Sequence, residues 1–404
     1  MDLPLELEFL AHHFEAPSSL YRQAEWLTGD FEADVWRYSF DFKNQKELDW
    51  RVELSDASLL TDPENAVLLD SFKYWLIAST HPYENSGAAN GLKSQYAAFN
   101  RTMHLIDYLL LNDERFQLYR YGLEGLSEDD IKGILSQLLR SNDVFEALFD
   151  WPAKLVEFAQ DLMHKTDPID MNKALRLSPG MSIVTAEDEL EAKSFGIDPE
   201  TLPNLRAALK AHGFIAQNRA LGRAPKSAAI SEQIYKRSIR MRYSTKPAAV
   251  TCLAYSSITD RHVREYDPVS VTTGSKKAVT SGTLALYRAS IYKLGVLHEI
   301  GLPAPSVESL VAAHQFTHPN PEPHGRYRTL PSEEVFSSVK NAIEFHFEHG
   351  RKILNGYLRV VLAAKLRDCT ISSLTPAEFQ GAIGTRETLN KSPKSAIIRP
   401  SSTA

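Results

Sequence analysis

Twenty consecutive residues, Leu92–Leu111, repeat apolar side chains at helical spacing, and this run constrains the fold more than any other part of the chain. Tyr96, Phe99, Met103, Ile106 and Leu110 recur every three or four positions, which places them along one face of a helix with 3.6 residues per turn. Such a stripe requires apolar partners, and the flanking segments carry them. Leu60–Glu64 reads as a helix start, with Thr61 or Asp62 as N-cap, Pro63 at the first helical position and an acid in the first turn. The helix it opens is expected to bury Val67, Leu68, Phe72, Trp75 and Leu76. Ser127–Asp130 caps a third helix running to Arg140, and Asn142 or Asp143 a fourth. Residues 59–163 therefore read as a compact bundle of short helices. Lys93, Asn100 and Arg101 are expected on the outward face of the long helix.

Two extended segments precede the bundle. Asp34–Phe42 is rich in aromatics, and Leu48, Trp50, Val52 and Leu54 alternate with the period of a half-buried strand. The polar KNQKE between them suggests a hairpin with a five-residue loop. Beyond the bundle, residues 165–180 read as a linker, with Asp167–Pro168 and Ser178–Gly180 as breakers. Thr185–Phe195 and Leu202–His212 form a helix–turn–helix outline, a weak signal because any two helices joined by a short loop resemble it. A helix from near Ser231 would carry Ile230, Ile234, Ser238 and Met241 on one stripe and Lys236, Arg237 and Arg240 on another. Residues 248–273 contain β-leaning runs. Leu284–Gly295, Val307–Gln315 and Ser332–Lys365 return to helix, and the end of the chain is polar enough to read as a disordered tail. The fold class is mainly α, with an N-terminal β-hairpin and a few short strands further on.

Charge is divided by position. Residues 1–165 carry 14 Lys/Arg against 29 Asp/Glu, whereas the remainder has a basic excess that hides within a whole-chain net charge of −6. Arg219, Arg223, Lys226, Lys236, Arg237, Arg240, Arg242 and Lys246 face a single acid, Glu232. Lysine and arginine bind nucleic-acid phosphates through counterion release and forked hydrogen bonds, and Tyr243 beside Arg242 offers a ring for a base or sugar. The alternative is a solvated helix face, and the scarcity of acids across the run favours a polyanion. Lys276 and Lys277 are further candidate phosphate contacts. The surrounding TGSKK lacks the spacing of a phosphate-binding loop, so nucleotide hydrolysis is not expected.

Several function classes are excluded or weakened. Two distant cysteines, Cys252 and Cys369, fit neither a disulfide scaffold nor paired metal ligands. The N-terminus lacks the basic and apolar regions of a secretory signal, and no run of 18 apolar residues exists, so a cytoplasmic protein without a membrane partner is expected. Six histidines lie between His298 and His349. The spacings His314/His318 and His346/His349 can place two rings on one helix face, but a metal would need a third ligand such as Glu322 or Glu348. Surface or core histidines are the default, and no metal or cofactor is assigned.

Segments spread over residues 30–370 resemble one known family. They are Asp49–Leu54 (DWRVEL), Leu59–Pro63 (LLTDP), Leu105–Leu111 (LIDYLLL), Tyr121–Leu123 and Leu126–Ile131 (LSEDDI), followed by Ile197–Tyr243 and Leu330–Tyr357. Together they resemble the SAM-like core-binding region and the helical middle of large bacterial site-specific integrases of the tyrosine recombinase family. That family cuts DNA through a phosphotyrosine, supported by two arginines, a histidine and a lysine. The catalytic signature is missing here. No histidine has an arginine three positions later, His349 and Lys352 being the nearest pair, and Arg22 with Glu25 is the clearest match to the first catalytic arginine but precedes the core-binding region. Tyr357 follows His349 in the wrong context, so no catalytic residue is carried over and an enzymatic role stays open.

The resemblance implies a protein that binds double-stranded DNA without cutting it, in DNA integration or recombination, with itself or other recombinase subunits as partners. Its domains would be residues 1–58 with the hairpin, 59–165 as the SAM-like bundle, 181–370 as a basic helical region, and a tail over 371–404. The expected DNA contacts are Lys93, Arg101, Arg219, Arg223, Lys226, Lys236, Arg237, Arg240, Arg242, Lys246, Lys276 and Lys277. Two competing readings are a non-enzymatic helical interaction module and a metal-dependent enzyme using the His298–His349 cluster.

Overall fold

Two short antiparallel hairpins and a succession of helices make up the chain in a computed structural model, which describes residues 17–40, 44–85, 87–218, 221–243, 247, 250–256, 279–317 and 332–384. The fold is mainly α. Strand β1 (Val35–Tyr38) pairs with β2 (Lys46–Asp49), Val35 opposite Asp49 and Tyr38 opposite Lys46. The second strand is shorter and starts earlier than the alternation suggests. The alternation survives as burial, since Leu48, Trp50, Val52 and Leu54 are all buried. Past β2 the chain turns on itself instead of extending: the Leu54 N–H donates to Ser58 and the Leu60 N–H to Val52, both at 2.8 Å, with Ala57 in a left-handed conformation.

Helix α1 (Ala66–Ala78) follows a 3-10 turn over Pro63–Asn65, with Asp62 at the N-cap position. Leu68, Leu69, Phe72, Trp75 and Leu76 are buried, whereas Val67, expected inside, lies in the first turn outside that face and is exposed. Helix α2 spans Leu92–Leu111 as anticipated. Its Phe99 ring meets Trp26 edge-on at 4.9 Å, within an aromatic cluster that includes Trp36, Tyr38 and Phe40. Helix α3 (Glu128–Leu138) starts on a reciprocal capping box between Ser127 and Asp130.

Helix α4 (Trp151–Lys165) runs directly into α5 (Pro168–Leu177), so the expected linker over residues 165–180 is mostly helix. The Asp167–Pro168 pair is a start signal: Asp167 accepts the Ile169 N–H at 2.7 Å, and Pro168 occupies the first helical position. Helices α6 (Ala186–Ser194) and α7 (Leu202–Ala211) confirm the two helical patterns, and α7 packs against α4 and α5. Arg206 of α7 is fully buried and donates to the carbonyls of Cys252, Met181 and Ile183 and to the Asp188 carboxylate, all between 2.7 and 3.1 Å.

The second hairpin, β3 (Ile215–Asn218) and β4 (Gly222–Pro225), leads into α8 (Ser227–Ile234). Of the β-leaning stretch, residues 250–256 form a 3-10 turn and a single bridge from Tyr255 to Arg223, and residues 257–273 lie outside the described residues. Helices α9 (Ser281–Tyr292) and α10 (Val307–Gln315) close against the bundle: α9 packs on α2, and α10 packs on α3 and α9. The Trp75 indole donates to the Ser290 carbonyl at 2.8 Å.

The chain divides into two compact units, Met1–Arg326 and Tyr327–Ala404. The segments read as 1–58, as 59–165 and as the start of 181–370 thus lie in one unit, joined by a hydrophobic cluster extending from Tyr21 to Ala313. In the second unit, α11 (Ser332–Phe345) passes through a π turn at His346–Gly350 into α12 (Arg351–Leu366), and α13 (Pro376–Ile383) folds back on α12. Part of the expected disordered tail is therefore helix, because Thr375 and Glu378 form a capping box; residues 385–404 lie outside the described residues. No helix among the described residues is long and apolar enough to cross a membrane.

Candidate nucleic-acid interface

The basic run does not form the exposed helical face that its sequence suggests. Helix α8 ends at Ile234, and residues 235–243 turn back across α2. The cause is a buried acid. Asp107 of α2 accepts the backbone N–H groups of Ile239 at 2.6 Å, Arg240 at 3.2 Å and Met241 at 2.9 Å. These contacts replace helical hydrogen bonds, and Tyr235 reinforces the exit by donating its hydroxyl to the Phe149 carbonyl at 2.8 Å.

The side chains of Arg240 and Arg242 are drawn inward too, whereas Arg237 stays half-exposed at the surface. Arg240 donates to Asn100 Oδ1 at 2.5 Å and lies over the Phe99 ring at 5.4 Å. Arg242 donates to the Asp49 carbonyl at 3.2 Å, with the Asp49 carboxylate 3.9 Å away, and Arg237 faces Glu53 at 3.7 Å. Arg223 has its backbone paired with Tyr255 in both directions at 2.8 Å and its side chain partly buried. Within the run, Lys226 and Lys236 remain exposed without an ion pair among the described residues. Arg219, Lys246, Lys276 and Lys277 lie outside the described residues.

Arg101 is another correction. It is half-buried rather than outward, because α9 covers that side of α2. Burial lowers its pKa, the nearby Tyr287 opposes the shift, and its Nε atom has no hydrogen-bond partner among the described residues. Asn100 is likewise partly buried and engaged with Arg240.

Lys93 does sit where a phosphate could reach it. A groove of about 560 Å³ opens between the β1–β2 hairpin and the start of α2. Tyr38, Phe40 and Tyr96 give it aromatic walls, and Asn44, Gln45, Lys46 and Lys93 give it a polar rim. Phe40 and Tyr96 lie 5.2 Å apart, ring to ring. Lys46 and Lys93 are exposed, with no ion pair among the described residues. The start of α2 adds to the positive field, since Gly91 at its N-cap supplies no side-chain acceptor and the first turn holds no acid. Lys46, Phe40 and Tyr96 were not singled out from the sequence as site residues. The signal that could have found them is the lysine-flanked KNQKE loop placed opposite a helix that begins Gly91-Leu92-Lys93.

The other chemical candidates disperse. His298 pairs with the Pro305 carbonyl at 2.9 Å, His314 lies against Tyr292, and His349 faces Glu348 at 3.5 Å. No group of three His, Cys, Asp or Glu able to hold a metal occurs among the described residues, and His318, Glu322 and His324 lie outside them. Cys252 is buried, and burial pushes its thiol up to about 12, far from nucleophilic at neutral pH. No family profile, no curated protein and no solved structure matches this chain.

Proposed function

We propose that this protein binds duplex DNA through its phosphate backbone, in the non-cutting manner of the integrase-like reading, and that the groove beside the start of α2 is its principal contact. The observation that carries the proposal is the pairing of two exposed lysines without an ion pair among the described residues, Lys46 and Lys93, with a helix start that has no side-chain cap and with an aromatic wall. Lysines at such a site gain from counterion release, helix N–H groups match phosphate oxygens, and Tyr96 and Phe40 can pack against a sugar. Lys226 and Lys236 add exposed positive charge elsewhere on the same unit.

The test is fluorescence anisotropy with a mixed-sequence duplex over a salt series, comparing the wild type with K46E/K93E. The double variant should lose tenfold or more in affinity at low salt, and its log K against log salt slope should be shallower by about two, since each neutralised phosphate contributes roughly 0.9. Absence of duplex binding by the wild type at low salt, or an unchanged slope in the variant, would overturn the proposal. A protein-interaction role is favoured by a separate observation, the exposed apolar face of α11.

A further inference from the structure

Every residue of α11 is exposed, yet the helix is strongly sided. Val335, Phe336, Val339 and Ile343 fall on one face at three- and four-residue intervals, with Phe336 73% exposed. Ser337, Asn341 and Glu344 lie on the other. After the π turn the pattern resumes on α12, where Ile353, Leu354, Tyr357 and Leu358 are exposed as well. A fourteen-residue helix gains little from propensity alone in water, so an apolar face of this extent calls for a partner.

The charge along this helix identifies the partner. Residues 332–349 carry four acids, Glu333, Glu334, Glu344 and Glu348, against one base, Lys340. Residues 350–367 carry five bases, Arg351, Lys352, Arg359, Lys365 and Arg367, and no acid. The helix is thus acidic in its first half and basic in its second, with the change at the π turn. Side by side in parallel, two such helices would set like charge against like. Antiparallel, each acidic half meets a basic half, and the two helix dipoles oppose favourably.

We infer that α11–α12 is a self-association surface on which two copies of this chain pair antiparallel about a twofold axis near Glu348. Isologous pairing of this kind closes after two subunits, as a twofold interface must. Pairing centred on Glu348 sets Val339 against Tyr357 of the second copy and Ile343 against Ile353, each exposed in the single chain. The spacing of positions 336, 339 and 343, three then four residues, is that of a left-handed helix pair.

The test combines mass and geometry, in the full chain and without DNA, so that its outcome is independent of the groove. Sedimentation equilibrium should give a dimer at micromolar concentration. Ile343→Glu should weaken it at least tenfold while circular dichroism of the rest of the chain is preserved. In a Cys369→Ser background, chains carrying Ile343→Cys should form a disulfide with chains carrying Ile353→Cys under mild oxidation, but not with one another. A monomeric wild type at tens of micromolar would overturn the inference. So would preferential Ile343→Cys to Ile343→Cys crosslinking, which a parallel pair requires.

Discussion

The Asp107 carboxylate accepts the Ile239 N–H at 2.6 Å across 132 residues of sequence, and this contact docks the basic run on the acid-rich first third. The acid-rich first third and the basic run after Arg219 are partners within one unit. Asp107 holds the backbone of residues 239–241, Asn100 and Asp49 hold Arg240 and Arg242, and Glu53 faces Arg237. A surplus of opposite charge in two distant segments can reflect docking of those segments on each other as well as attraction to an outside polyanion.

Replacing Asp107 by alanine should leave three N–H groups without this acceptor, two of them, at Ile239 and Met241, buried. Each such donor costs about 1–3 kcal/mol when left unmade, so Asp107→Ala should destabilise by about 3–5 kcal/mol. Urea unfolding followed by circular dichroism measures it, and a loss under 1 kcal/mol would show that residues 239–241 find other acceptors.

Asp107 also predicts a pH dependence. Burial pushes its carboxyl from 3.8 up to about 6, against the pull of the three N–H donors. Between those values the folded state holds a proton that the unfolded chain has released. The associated stability is present below pH 4 and is lost as pH rises through 6. Relative to Asp107→Asn, which does not titrate, the wild type should therefore lose up to about 3 kcal/mol between pH 4 and pH 7. Parallel urea titrations of the two proteins at both pH values cancel the contributions of other carboxylates.

The arginines of the basic run should separate from the groove lysines in function. Arg240→Ala removes the Asn100 hydrogen bond and the contact over Phe99, and should cost about 1–2 kcal/mol of stability with the salt slope of DNA binding unchanged. Lys93→Glu should do the reverse, flattening the slope by about one with little effect on the urea midpoint. If Arg240→Ala flattened the slope instead, the run would bind DNA directly.

Arg206 anchors the region between α6 and the Cys252 turn. Its guanidinium serves four acceptors from a fully buried position, a geometry that an ammonium on a straight stem cannot reproduce. Arg206→Lys should thus fail to rescue: both it and Arg206→Met should destabilise by about 3–5 kcal/mol, the Met variant by leaving Asp188 and the three carbonyls without this donor. Thermal unfolding would show whether the lysine variant instead retains near-wild-type stability.

What could be read from the sequence followed from local grammar. The period of Leu92–Leu111, the Ser127–Asp130 box and the burial of Leu48, Trp50, Val52 and Leu54 each depend on residues a few positions apart, and each is present in the structure. Misreadings arose where one local signal had two meanings or where a distant group intervened. Asp167–Pro168 can break a chain or start a helix, and α7 packing on α5 favours the start. Continuation of α8 past Ile234 fits its apolar spacing, but Asp107, remote in sequence, captures the N–H groups a longer helix would use. The groove was hidden for a similar reason, since its lysines come from a loop and a helix start that meet only in the fold.

The second unit offers the clearest case of a local signal passed over. Thr375 accepts the Glu378 N–H, and the Glu378 carboxylate accepts the Thr375 N–H at 2.9 Å, closing the reciprocal box at the start of α13. Pro376 fixes the first helical dihedral, and Arg367 pairs with Glu378 from the end of α12. These bonds hold the Glu378 carboxyl well down, at about 2, so the box stays ionised through neutral and mildly acidic pH. Removing the hydroxyl with Thr375→Ala should cost α13 about 1 kcal/mol. Amide exchange at residues 377–383 should then speed up several-fold, with exchange in α2 unaltered. Unchanged protection across α13 would mean that its packing on α12, and not the cap, holds the helix in place.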